Sequence, residues 1–75
     1  MQLKNIGSNM TELQLGDKTI LFSYSTPVAY SEKGSCYKTE KKWSNTTSKH
    51  INKWLDGRHA ETIDQSKLDF IANRG

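Results

Sequence analysis

Apolar residues alternate with polar ones through the first half of this chain and recur every third or fourth position through the second. The runs 10–15 (MTELQL) and 18–24 (KTILFSY) have the period of a strand and flank Gly16-Asp17. A two-residue Gly-X connection suits a type II′ hairpin, because glycine accepts positive φ at the first central position. That register sets Leu15 opposite Lys18, Leu13 opposite Ile20 and Thr11 opposite Phe22. Leu13, Leu15, Ile20, Phe22 and Tyr24 then share one face, and Leu21 points the other way. Pro27 cannot donate to a ladder and marks a strand boundary. A second hairpin is predicted over 28–39, with strands 28–30 and 35–39 joined through Gly34 in a left-handed conformation. Val28, Tyr30, Ser35 and Tyr37 would share a face, with Ala29 and Cys36 on the other.

Beyond residue 44 the period changes. Positions 44–47 (SNTT) are N-cap formers, and Thr47, Ile51, Trp54 and Leu55 recur as one helical stripe. Gly57 suits the position just past that helix. A second helix is expected near residue 63, capped either by a Thr62/Gln65 box or by Asp64 with an Ile63/Leu68 staple. It carries Leu68, Ile71 and Ala72 as a stripe, Phe70 on its flank, and a fraying end at 73–75. The predicted fold is α+β: an antiparallel sheet of three to four strands (hairpins 10–24 and 28–39), packed on one face by two C-terminal helices at about 46–56 and 63–73. In this arrangement Leu13, Ile20, Phe22 and Tyr30 meet the helix stripes.

Length and composition narrow the picture. Seventy-five residues make one domain, 1–75, and only a third of them are hydrophobic. So thin a core also fits a homodimer. A single cysteine, Cys36, excludes an internal disulfide and fits a reducing compartment. No stretch has the length and apolarity of a signal peptide or a membrane span, so no membrane partner is expected.

Charge is distributed unevenly. Segment 38–58 holds six basic residues against two acids, whereas the other five bases are outweighed by six acids. Both tryptophans lie in that segment. The candidate binding surface is Lys38, Lys41, Lys42, Trp43 and Asn45, continued by Lys49, Asn52 and Lys53. Lysines with an outward indole could meet an acidic protein surface or the phosphates and bases of a nucleic acid. Trp54 falls on the helix stripe and reads as core, and His50 as a packed boundary residue. Trp43 belongs to no apolar period. A net charge of +3 excludes one mode of action, imitation of a polyanion.

Catalytic chemistry is not legible. The glycines are scattered singly, so no phosphate-cradling loop can be assembled. Cys36, His50 and His59 have neither CxxC nor HxxxH spacing, and the acids read as helix-end charges. The expectation is a protein that is not an enzyme and uses no cofactor or metal.

The runs YSTPVAY (24–30), YKTEKKWS (37–44) and TTSKHINKWL (46–55) together resemble a family of small uncharacterised bacteriophage proteins, a domain of unknown function. The resemblance covers residues 5 to 56, and KKWS…TTSKHINKWL is its most specific part. The family offers no catalytic residues to carry over. The resemblance implies a phage-encoded protein acting in the host cytoplasm. It further implies a protein that binds and inhibits a host or bacterial-defence complex, CRISPR complexes included. A nucleic-acid-binding module using segment 38–58 is the alternative.

Overall fold

A computed structural model describes residues 2–7 and 9–73. The elements run β1 (Gln2–Gly7), β2 (Met10–Leu15), β3 (Lys18–Ser23), β4 (Thr26–Glu32), β5 (Ser35–Thr39), α1 (Asn45–Leu55), β6 (Glu61–Ile63) and α2 (Gln65–Asn73). All six strands form one sheet in sequence order. β1 to β5 are an antiparallel meander, and β6 pairs parallel with β5. The protein is therefore α+β, but its sheet is six-stranded and mixed rather than three- to four-stranded and antiparallel. The parallel pair follows from α1, which supplies the crossover that parallel neighbours need. β1 and β6 escape pattern reading for different reasons. β1 places one apolar residue on each face, Leu3 and Ile6, and β6 has only three residues.

The turns follow their residues. Gly16, at φ +57°, fills the first central position of the β2–β3 hairpin, and the register sets Leu15 against Lys18, Leu13 against Ile20 and Thr11 against Phe22. Lys33 and Gly34 both take positive φ in a two-residue β4–β5 loop, so β4 extends to Glu32, further than expected. The β3–β4 loop is Tyr24-Ser25, at φ 52° and 72°. Neither residue favours that region, which costs a side-chain-bearing residue about 1–2 kcal/mol. Tyr24 accordingly leaves the strand face assigned to it.

The largest correction concerns which face α1 covers. α1 packs on the Leu21 face, where Met10, Leu21, Val28, Ala29 and Cys36 meet Ile51 and Leu55. Leu13, Ile20, Phe22 and Tyr30 do not meet the α1 stripe. Alternation sorts residues into two faces, yet it cannot say which of them a helix will cover. Val28 joins this core through a bulge: Leu21 pairs with Ala29 and Phe22 with Pro27, leaving Val28 between them. Burying each large aliphatic side chain here contributes about 1.5–3 kcal/mol. On the opposite face Leu3, Leu13, Ile20, Tyr30 and Tyr37 align across five strands. Leu3 is 70 % exposed, Ile20 is fully buried, and the two tyrosine rings stack 4.8 Å apart.

α2 rests on β4, with Leu68 fully buried, Ile71 and Ala72 half-buried and Phe70 exposed. Asp64 is its cap: the Asp64 carboxylate accepts from the Ser66 N–H at 3.2 Å, and its carbonyl from Lys67 and Leu68. Arg74 and Gly75, expected to fray, lie outside the described residues.

Candidate functional site

The N-terminal end of α1 is built around Ser44. Its extended backbone stops the incoming chain, and its hydroxyl accepts the Thr47 N–H at 3.1 Å. The same hydroxyl donates to Thr47 Oγ1 at 3.2 Å. Thr47 Oγ1 lies 3.2 Å from Ser23 Oγ, and Ser23 Oγ lies 2.8 Å from His50 Nδ1. With the His50 proton on Nε2, each hydroxyl can donate onward, and the chain ends on Nδ1 as an acceptor. This network pins α1 to the end of β3. Sequence reasoning missed it, because Ser23 and His50 are 27 positions apart and a strand serine carries no signal of its partner. The pair has the spacing of a nucleophile and its base but not the access or the orienting group. Ser23 is 2 % exposed and already engaged by Thr47, and among the described residues no carboxylate bonds His50.

Trp43 stands just before this cap, 41 % exposed. Two contacts fix its ring. Lys41 Nζ sits 4.2 Å from the ring centroid on one side. The indole Nε1–H donates to Gln65 Oε1 at 3.2 Å. Gln65 is itself held, its amide donating to the Pro27 carbonyl at 2.8 Å and to Asp69 Oδ1 at 3.1 Å.

Two clefts flank the connection between β5 and α1. One, of about 270 Å³, is lined by Lys38, Lys41, Lys42 and Asn52, together with Glu40 and Ser48. The other, of about 200 Å³, lies between Tyr24 and Trp43 over Val28, with Ser23, Ser44 and Thr47 along it. The structure thus brings Lys38, Lys41, Lys42 and Asn52 to one cleft and Trp43 to its neighbour. Asn45, Lys49 and Lys53 lie on exposed turns of α1 and line neither. Among the described residues none of the five lysines in this set forms a salt bridge; the one ion pair is Lys18–Glu32, at 3.3 Å on the sheet.

The remaining basic residue of the segment is committed elsewhere. Arg58 donates from Nε to the Leu55 carbonyl at 2.9 Å and from a terminal nitrogen to the Trp54 carbonyl at 2.8 Å. Asp56 and Gly57 turn left-handed at φ 49° and 85°, and the helix stops.

A third cleft, of about 390 Å³, contains Cys36, Tyr37, Arg58, His59 and Glu61. Cys36 and His59 share it, but no hydrogen bond joins them. His50 sits in the middle of α1, bonded to Ser23. Among the described residues no group of three or more His, Cys, Asp or Glu could hold a metal ion. None of the described helices is long and apolar enough to cross a membrane.

A family model matches residues 1–71, and the chain belongs to that family, a family of unknown function (DUF8033). The match extends past residue 56, where the resemblance noted above ended. No curated protein and no solved structure matches the chain.

Proposed function

We propose that this chain is a phage-encoded, non-enzymatic protein that binds and inhibits a host or bacterial-defence complex in the host cytoplasm. Docking uses the N-terminal end of α1. The observation that carries the reading is an exposed, hydrogen-bonded Trp43 beside lysines that form no salt bridge among the described residues. An indole at the centre of a cationic rim has the make-up of a binding hot spot, and unpaired rim charges speed encounter with an acidic surface. The phage context is supported by the resemblance of the KKWS…TTSKHINKWL segment. Affinity capture from host cells, comparing the wild-type chain with Lys41→Glu/Lys42→Glu/Trp43→Ala, tests the reading. Proteins retained by the wild type and lost by the variant are expected. Identical retention by both, or tight binding of duplex DNA with no protein retained, contradicts it.

One observation favours a second reading, a nucleic-acid-binding module. The cleft of Lys38, Lys41 and Lys42 has the charge to meet phosphates. That reading requires affinity that falls steeply with salt and falls further on Lys49→Glu with Lys53→Glu.

A further inference from the structure

The cleft between Tyr24 and Trp43 differs in chemistry from the lysine cleft beside it. We propose that it is an anchor pocket for a single aromatic side chain carried on an acidic segment of a protein partner. This inference rests on the docking reading above and names what the docking surface receives.

Size is the first argument. The cleft measures about 200 Å³. A cavity of about 150 Å³ holds benzene, whereas drug-sized ligands need about 300 Å³ or more. One ring fits; a large ligand does not.

Lining chemistry is the second. Ser23, Ser44, Thr47 and Thr26 border the cleft, and the hydroxyls of the first three are engaged with one another and with His50. The exposed lining is mostly apolar, with Tyr24 and Trp43 as its aromatic members and the nearly buried Val28 beneath them. A nucleobase would bring an edge of donors and acceptors that the three engaged hydroxyls answer poorly. A phenyl or phenol ring needs only the walls.

Rigidity is the third. Trp43 is held through its indole N–H and covered on one side by Lys41, which does not line this cleft. Its other side is left to form the wall. Tyr24 stands on the strained turn, 53 % exposed, with its ring 5.8 Å from the His50 ring. Strain of this kind persists where the surroundings impose it, and it concentrates at ligand clamps. Both walls are placed before any ligand arrives, which lowers the entropic cost of docking.

Charge selects the partner. Lys41 and Lys42 lie next to Trp43 in the chain and have no ion-pair partner among the described residues. Acidic residues flanking the inserted ring would find them.

The test uses three acetylated and amidated peptides, Asp-Glu-Phe-Glu-Asp, Asp-Glu-Ala-Glu-Asp and Lys-Lys-Phe-Lys-Lys, titrated into the purified chain alongside an oligothymidylate. Affinities are read from amide chemical shifts. The acidic phenylalanine peptide is expected to bind about tenfold more tightly than its alanine counterpart. Trp43→Ala and Tyr24→Gly should each remove most of that difference while leaving the alanine peptide unaffected. Equal binding of the two acidic peptides on the lysines overturns the anchor pocket and leaves the basic docking surface standing. Equal binding of the lysine peptide overturns the acidic partner. Failure of both acidic peptides to bind overturns the pocket and the docking surface together. Tighter binding of the oligothymidylate, with shifts at Tyr24 and Trp43, reassigns the cleft to nucleic acid.

Discussion

The two ends of α1 carry the same kit of parts and use it differently. Each has a tryptophan whose indole N–H donates to a side-chain oxygen and whose ring lies beside a cation. At the C-terminal end, Trp54 is half-buried against the core, donates to Glu12 Oε2 at 2.7 Å, and has Arg58 5.1 Å from its ring centroid. Arg58 also holds two helix carbonyls. Every part there is occupied, and the result is a helix stop sealed onto β2. At the N-terminal end the acceptor is a neutral glutamine at 3.2 Å, and the cation is a lysine with no ion pair. The indole remains partly open, between two clefts. The difference teaches that function is read from spare capacity. Aromatic rings and cations at both ends are present in the composition, but only one end leaves them free to meet something else.

That contrast can be broken by substitution. The largest effect should come from the tryptophans. Trp54→Ala is expected to lower stability by about 2–3 kcal/mol, below the range for a fully enclosed indole, and Trp43→Ala by less than about 1 kcal/mol. Urea unfolding measures both, and equal costs would erase the distinction between a structural and an open end.

The cations give a smaller version of the same comparison. Arg58→Ala should cost about 1–2 kcal/mol, since it removes two hydrogen bonds to helix carbonyls and a cation–π contact. Lys41→Ala should stay within about 0.5 kcal/mol of the wild type.

Backbone conformation sharpens the comparison further. Gly57→Ala at the closed end forces a side chain into a conformation at φ 85°, and a loss of about 1 kcal/mol is expected. Tyr24→Gly at the open end relieves strain at φ 52°, an effect partly offset by the freedom glycine gives the unfolded chain. Stability should be unchanged or up to about 1 kcal/mol higher, while the acidic phenylalanine peptide binds less well. A variant that loses stability would show that Tyr24 is held for the fold rather than for a ligand.

The smallest effect lies away from both ends and serves as a control. Burial pushes the Tyr30 hydroxyl above its ordinary value of 10.0, with help from the neighbouring Tyr37 and Glu32 charges. The folded state therefore keeps this proton longer than the unfolded state does. The resulting stabilisation is complete below the unfolded value and disappears as pH rises through the folded one. Tyr30→Phe should flatten that alkaline decline, and Trp43→Ala should leave it in place.

Much of the scaffold was legible in the residues, for identifiable reasons. Gly16-Asp17 dictated a hairpin register that the structure reproduces pair by pair. Ser44 and Gly57 bracket α1 because each offers what its helix end requires, a hydroxyl acceptor and a left-handed residue. Which face α1 covers was not legible. Ile20 and Leu21 are adjacent, both apolar and both fully buried, so alternation had no reason to prefer one side. β6 was invisible because three residues carry no period. At the candidate site, segment 38–58 marked where cations and indoles concentrate, but it could not separate Arg58, which caps a helix, from Lys41, which does not. The Tyr24 wall and the Ser23–His50 bond depend on a turn and a crossover that join distant parts of the chain. Nothing local announces them.

The most direct test of the open end is a single spectrum of the ¹⁵N-labelled chain, in which each tryptophan contributes one indole N–H signal. On titration with the acidic phenylalanine peptide, the Trp43 indole and the amides of residues 41–47 should shift together and saturate, while the Trp54 indole stays in place. Movement of Trp54 with Trp43 unmoved, or no movement of either at saturating peptide, would contradict the assignment of docking to the N-terminal end of α1.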